Sequence, residues 1–247
     1  MDRERMEAGL DSFQKDLSEF QIQISQSQQR QFIDYFKVLS EWNSFMNLTA
    51  ISEFEDVLKK HFVDSISLVK AVPNLAGQAF SLIDVGTGAG FPGIPLKICF
   101  PDLEVTLLDS LNKRTQFLNE VIRSLDLKNI AVVHGRAEDF ARKGQLRESF
   151  DLAVSRAVAN LSVLSEYCIP FVKKGGYFIA YKSEHIVEET EQAGKALQVL
   201  GGVCDRKVEF DLPNSDIRRT LIMIRKERDT PARFPRKAGT PSKEPII

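Results

Sequence analysis

The chain has no apolar run near the roughly 20 residues that cross a bilayer. It opens on Met1-Asp2-Arg3-Glu4-Arg5-Met6-Glu7, without the apolar stretch of a signal peptide. A cytoplasmic protein with no membrane contact is therefore expected. Cysteine is scarce. Cys99, Cys168 and Cys204 form an odd, scattered set, which gives neither a disulfide framework nor metal-ligand spacing. They read as small buried apolar residues. Histidine is equally scarce, and His61, His134 and His185 form no His-Glu-x-x-His pair, so no protein-bound metal is expected. No internal repeat is visible.

What is present suits a packed globular chain. Hydrophobic residues make up 43% and charged residues 27% of 247, enough for one large α/β domain or a core with a helical attachment. The net charge of -1 hides an asymmetry. Residues 218–247 hold nine Lys and Arg against three Asp and Glu, while the two preceding segments, 1–80 and 81–217, are both acidic in balance. A basic end is a plausible contact for a polyanion or simply a solvated tail.

The first 75 residues read as helices. Phe32, Phe36, Leu39, Trp42 and Met46 recur at spacings of three and four. Trp42 and Phe32 read as core, not as stacking platforms for bases. A second helix is expected to start at Ser52, with Glu55 completing a capping box, and to carry Leu58, Phe62, Ile66 and Val69 inward. From Ala79 short apolar runs alternate with helical stretches. Strands are expected over 80–85, 104–108, 130–134, 150–155, 176–181, 203–211 and 219–225. Helices are expected near 92–99, 111–124, 137–143, 160–169 and 184–200. Such alternation predicts a parallel sheet covered on both faces. The last two strands, joined at Pro213-Asn214-Ser215-Asp216, should pair antiparallel. The fold class is α/β: a Rossmann-like, seven-stranded class I methyltransferase sheet with an N-terminal helical extension. The divisions are 1–78 for the extension, 79–227 for the sheet domain and 228–247 for a basic Pro-rich tail, a composition that seldom packs into a core.

The strongest signal is Ser81-Leu82-Ile83-Asp84-Val85-Gly86-Thr87-Gly88-Ala89-Gly90-Phe91-Pro92-Gly93. An apolar strand enters a glycine-rich turn and a helix opens beyond it. Gly88-x-Gly90-x-x-Gly93 fits a dinucleotide fingerprint. Gly86-x-Gly88-x-Gly90 preceded by Asp84 fits the form that binds S-adenosylmethionine. An acid at the strand end suits a cationic ligand and hinders a pyrophosphate, so the methyl donor is preferred. Asp109 ends the next strand about 20 residues on, the usual distance for a ribose-binding acid; it also suits an N-cap. Arg136-Ala137-Glu138-Asp139 follows the third strand, where an adenine edge would be held.

Further segments make a resemblance specific. They are Glu41-Trp42-Asn43 with Asn47-Leu48-Thr49, His61-Phe62-Val63-Asp64-Ser65, the Phe91-Pro92-Gly93-Ile94-Pro95 extension, Leu108-Asp109-Ser110-Leu111-Asn112-Lys113-Arg114, Ser155-Arg156-Ala157, Tyr181-Lys182 and Arg219-x-Leu221. With these, from about Gln28 to Lys226, the chain resembles the bacterial 16S ribosomal RNA guanine-N7 methyltransferases, also called the glucose-inhibited division protein B family. The resemblance implies methyl transfer to N7 of one guanine in the small-subunit RNA, with 16S rRNA or a small-subunit precursor as partner, and a monomer is expected. It implies cofactor contacts at Gly86, Phe91, Ala137, Glu138 and Arg156, beside Asp84, Gly88, Gly90 and Asp109 read from the loop. Lys113, Arg136, Lys182 and Arg219 are the expected RNA contacts. The tail Phe234-Pro235-Arg236-Lys237-Ala238-Gly239-Thr240-Pro241 looks like that of only some members.

The chemistry agrees. Guanine N7 has a free lone pair and needs no deprotonation, so alignment and electrostatics suffice. No Asn/Asp-Pro-Pro-aromatic segment follows the fourth strand, and no Pro-Cys pair is present. Arg156 and Lys182, each at a strand end, are the expected positioning residues, with no general base. His61 and Asp64, three apart, are expected to pack the extension against the cofactor loop. Two alternatives stay open: a methyltransferase for another RNA atom or a small molecule, and a non-catalytic RNA-binding factor with a vestigial cofactor fold.

Overall fold

The computed structural model describes residues 3–142, 144, 146–156, 159–183 and 186–247. Ala157 and His185 lie outside the described residues. Seven strands form one sheet: β1 (Ser81–Val85), β2 (Glu104–Asp109), β3 (Ile130–His134), β4 (Phe150–Arg156), β5 (Val172–Lys182), β6 (Gly202–Asp211) and β7 (Arg218–Lys226). Their order is β3-β2-β1-β4-β5-β7-β6. The pairings among β1 to β5 are parallel, and β7 runs antiparallel between β5 and β6. The seven-stranded sheet and its terminal hairpin are as the sequence predicted.

Alternation along each strand builds two cores. Leu82, Leu152, Val154, Ile179 and Tyr181 belong to one buried cluster; Ile83, Val85, Ala153, Phe178 and Ala180 belong to the other. The first cluster packs against α5 (Gly93–Cys99), α6 (Asn112–Ser124) and the N-terminal helices. The second is covered by α7 (Ala137–Phe140), α8 (Leu161–Cys168), α9 (Ile186–Gln192) and α10 (Gly194–Leu200). The expected helix over 184–200 is thus two. It breaks at Ala193-Gly194, where glycine weakens a helix interior by about 1 kcal/mol relative to alanine.

The extension begins with α1 (Arg3–Glu19) and α2 (Gln26–Met46). Ser25 caps α2: its hydroxyl accepts from the Gln28 amide at 3.2 Å, and the Gln28 side chain accepts from the Ser25 amide at 2.8 Å. Phe13, Phe32 and Phe62 interlock at ring separations of 5.0 to 6.3 Å. Trp42 rests on Phe117 of α6 at 5.7 Å, as core. The expected capping box at Ser52 does not form. Glu53 precedes α3 (Phe54–Val57) without a side-chain cap, because Arg5 of α1 takes Glu55 at 2.7 Å and Glu53 at 3.1 Å. The chain then winds as a π-helix over Leu58–Val63, returns to α4 (Asp64–Ile66), and ends in a 3₁₀ turn over Ser67–Lys70. π-Helical turns are rare and recur at functional sites.

The tail packs, contrary to its composition. Phe234 joins the second core cluster and α11 (Thr240–Lys243) lies against α8. The physical reason is a set of polar anchors. Lys226 Nζ donates to Glu148, the Ile169 carbonyl and Thr230. Arg147 donates to the carbonyls of Ala141, Thr230 and Phe234. Among the described residues no helix is long and apolar enough to cross a membrane.

Candidate active site

β1 lies between β2 and β4, at the point where connections leave in opposite directions, and crevices in open α/β sheets form beyond the carboxyl ends there. The register pairs Val85 with Leu108, so the glycine loop leaves the sheet alongside Asp109. Gly86 N donates to the Leu108 carbonyl at 2.8 Å, and Gly88 N donates to Asp109 Oδ2 at 3.0 Å. Asp109 Oδ1 accepts from Leu111 N at 2.9 Å, and Arg114 stands 3.6 Å from Oδ2. Asp109 therefore braces the loop and the start of α6 together.

A crevice of about 150 Å³ opens at this point. Its lining includes Gly86, Asp109, Arg136, Ala137, Glu138 and Tyr167. Asp109 borders it, with its carboxylate held by the Gly88 and Leu111 amides. Four of the residues expected at the cofactor from sequence, Gly86, Asp109, Ala137 and Glu138, meet here, and Arg136, expected to meet RNA, joins them. Tyr167 was missed, because a helical pattern over 160–169 gives no hint of which residue reaches a neighbouring crevice.

Behind the loop, Asp84 is fully buried. Its Oδ2 accepts from the Thr87 hydroxyl at 2.6 Å and from Gly93 N at 2.8 Å. Its Oδ1 is buried with no hydrogen-bond partner. Burial pushes this carboxyl up to about 6, against the Thr87 hydroxyl, the Gly93 amide and the Arg156 charge. Gly90 serves packing on the far side of the loop: a Cβ there would meet Ile94 at 2.5 Å and the Tyr35 hydroxyl at 2.6 Å. That hydroxyl of α2 donates to the Ala89 carbonyl, so the extension holds the loop directly.

The second cavity, about 480 Å³, is lined by Lys60, His61, Asp64, Arg156, Lys182 and Arg219 among others. Arg156 ends β4. Its neighbour Ser155 ties that strand to β1 by donating to the Val85 carbonyl at 2.8 Å. Arg156 Nη1 donates to Asp64 Oδ2 at 2.8 Å, and Arg219 Nε donates to Asp64 Oδ1 at 2.8 Å. One carboxylate thus serves two guanidinium groups, which leaves the triad positive. The Arg156 guanidinium also lies 5.1 Å above the Phe91 ring of the glycine loop. Lys182 donates to Glu189 at 2.5 Å and to the Ala159 carbonyl at 2.8 Å.

His61 stacks on Phe91 at 4.5 Å. Its Nδ1 is 3.3 Å from Arg156 Nη2, which can only donate, so the proton is assigned to Nε2. Nε2 is 2.8 Å from the Thr49 hydroxyl, whose oxygen also accepts from Ile51 N at 3.0 Å. Asn43 grips Thr49 through both backbone groups, at 2.9 and 3.0 Å. Burial, then the Arg156 charge, pushes the imidazole down to about 3. It is neutral at pH 7 and a poor base. Asn43 and Thr49, which sequence reading left without individual roles, join His61, expected to pack the extension against the cofactor loop, in one chain of contacts ending on Arg156. Lys113 lines neither cavity; it is exposed near the start of α6.

The family model for rRNA small subunit methyltransferase G (GidB) matches residues 28–217. A ribosomal RNA small subunit methyltransferase G of Lachnoclostridium phytofermentans is 56% identical over 239 residues, covering 97% of this chain and 95% of that protein. One of Acetivibrio thermocellus is 54% identical over 229 residues, covering 93% of each. Among solved structures, the methyltransferase bound to the Trm112 activator of Haloferax volcanii matches with a TM-score of 0.56 at 12% identity, over 77% of this chain and 98% of that one. TYW2 of P. horikoshii in complex with MeSAdo matches with a TM-score of 0.51 at 12% identity, over 67% of this chain and 61% of that one. At such identities the structures attest the fold alone. The sequence matches span nearly the whole chain: it belongs to the rRNA small subunit methyltransferase G (GidB) family.

Proposed function

We propose that the chain transfers a methyl group from S-adenosylmethionine to N7 of a guanine in 16S ribosomal RNA, with the crevice at Asp109 holding the cofactor and the cavity at Arg156 holding the base. The observation that carries this reading is the position of Arg156. It lies over Phe91 of the glycine loop and on the wall of a cationic cavity, so one side chain joins the loop that borders the crevice to the cavity.

The residues present fit the cofactor. Asp84 is a buried carboxylate with an unpartnered oxygen, and a ligand carrying ammonium and sulfonium charges supplies what it lacks. Asp109 and Glu138 are acceptors for the hydroxyls and amine of a nucleoside. When bound, the cofactor supplies a methyl carbon activated by its sulfonium. The chain's own task is then alignment. Arg156 and Arg219, fixed by Asp64, can donate to guanine O6 or to phosphate. Lys182 adds a cation at the same wall. Neutral His61 holds Arg156 without competing for the methyl group's acceptor. Lys113 and Arg136 follow the carboxyl ends of β2 and β3 and extend the RNA-facing edge.

The test is mass-spectrometric comparison of small-subunit rRNA nucleosides after incubation with the wild-type chain or with Arg156→Ala. N7-methylguanosine should appear with the wild type and be lost with the variant, which should keep the wild-type fold. A methyl group on any other atom overturns the target. Unchanged transfer by Arg156→Ala overturns its role.

A further inference from the structure

The C-terminal tail carries excess positive charge, and sequence alone leaves it between a polyanion contact and a solvated tail. Its contacts lead elsewhere. Arg236 meets Glu166 of α8 in a bidentate pair at 3.0 and 2.7 Å, and its amide donates to the same carboxylate at 2.7 Å. Glu166 is 1% exposed, so this charge is spent inside the protein. Three residues on, Gly239 N donates to Glu138 Oε1 at 2.8 Å. The Ser242 hydroxyl then donates to the Gly239 carbonyl at 3.1 Å, closing the turn. Glu138 and Tyr167 are two of the side chains that line the crevice beside Gly86 and Asp109.

We propose that the turn 236–243 is part of the cofactor site, a positioning segment that fixes Glu138 for the adenosine moiety. This rests on the crevice being the S-adenosylmethionine site. The physical argument is one of satisfaction and freedom. Glu138 is 3% exposed, and a buried carboxylate needs donors. Gly239 supplies one from the main chain, which fixes the carboxylate while its remaining lone pairs stay available to hydroxyl and amine donors of a nucleoside. A carboxylate without that anchor must be ordered when the ligand arrives, at an entropic cost. The turn itself is anchored independently of the crevice by the Arg236–Glu166 pair and by Phe234 in the core.

Gly239 offers a way to loosen the contact without a clash. Its φ is +83°, which a β-branched residue disfavours, and a Cβ there would meet nothing within 4 Å. The experiment is calorimetric titration of the full chain with S-adenosylhomocysteine, paired with filter binding to small-subunit rRNA. Gly239→Val should weaken S-adenosylhomocysteine by about tenfold, the scale of one lost charge-assisted hydrogen bond. Gly239→Ala should weaken it less, and RNA affinity should stay unchanged in both. Combining Gly239→Val with Glu138→Ala should add nothing to Glu138→Ala alone, because the turn acts through that carboxylate. Equal S-adenosylhomocysteine affinity in the wild type and Gly239→Val overturns the proposal. A loss confined to RNA binding overturns it in favour of an RNA arm. No binding by the wild-type chain overturns the reading of the crevice as well, so the two failures are told apart.

Discussion

At the scale of single residues, Asp84 is a fully buried acid with one unpartnered carboxylate oxygen. Its ordinary value near 3.8 rises to about 6 through burial. An acid raised in this way adds stability that is fully present below its unfolded value and is lost as pH rises through the folded one. A rise of about 2 units is worth about 3 kcal/mol at 1.36 kcal/mol per unit, all of it forgone at pH 7. Asp84→Asn should therefore raise the melting temperature of the cofactor-free chain and weaken S-adenosylhomocysteine by tenfold or more, as melting curves and calorimetry would show. A drop in melting temperature would refute the reading. In the wild type, affinity for S-adenosylhomocysteine should climb between pH 5 and 7 on the order of tenfold, since the ligand's ammonium group selects the ionised carboxylate. A flat profile would mean that Asp84 does not sense the ligand. Asp64 is the converse case, stabilising because it is shared. Its loss strands two guanidinium groups whose side chains are only 12% and 20% exposed. Asp64→Ala should cost roughly 3–5 kcal/mol by denaturant titration and abolish methyl transfer.

At the scale of elements, strands and the glycine loop were legible because parallel strands buried on both faces leave continuous apolar runs, and glycine marks a backbone that must turn. The π-helical segment carrying His61 was not legible, since apolar spacing cannot distinguish one extra residue per turn from a short α-helix. Ser52 misled for another reason: a local capping pattern lost to a tertiary pair, Arg5 with Glu55. The true capping box at Ser25 and Gln28 was passed over because polar residues surround it, and no apolar run directly follows. That box does two jobs, since Gln28 Nε2 also donates to the Ile98 carbonyl at 2.7 Å and joins α2 to α5. Ser25→Ala should cost about 1 kcal/mol by denaturant titration and leave cofactor affinity unchanged. A much larger loss would show that α2 sets the shape of the loop through Tyr35 and Ala89, and that its entry is part of the site. Both crevice and cavity depend on residues from distant elements, which is why sequence named their members without showing that Asp64 joins two of them.

At the scale of the whole molecule, a net charge of -1 gives no general attraction to a polyanion, so RNA must be held by where charge is placed. The basic C-terminal region is largely internally compensated. Lys226 pairs with Glu148, Arg236 with Glu166, Arg218 with Glu209 and Arg225 with Glu227. The cavity differs, because Arg156 and Arg219 divide one carboxylate between them. Phosphate contacts release counterions, and each contact to single-stranded nucleic acid adds about 0.7 to the slope of log affinity against log salt. Arg219→Ala should therefore lower that slope for small-subunit rRNA by about 0.7, measured by filter binding across a salt series. Lys237→Ala in the tail should leave it unchanged. If Lys237→Ala lowers the slope as much as Arg219→Ala does, RNA is held along the tail and not at the cavity. The methyl acceptor would then have to reach Arg156 from a strand anchored some distance away.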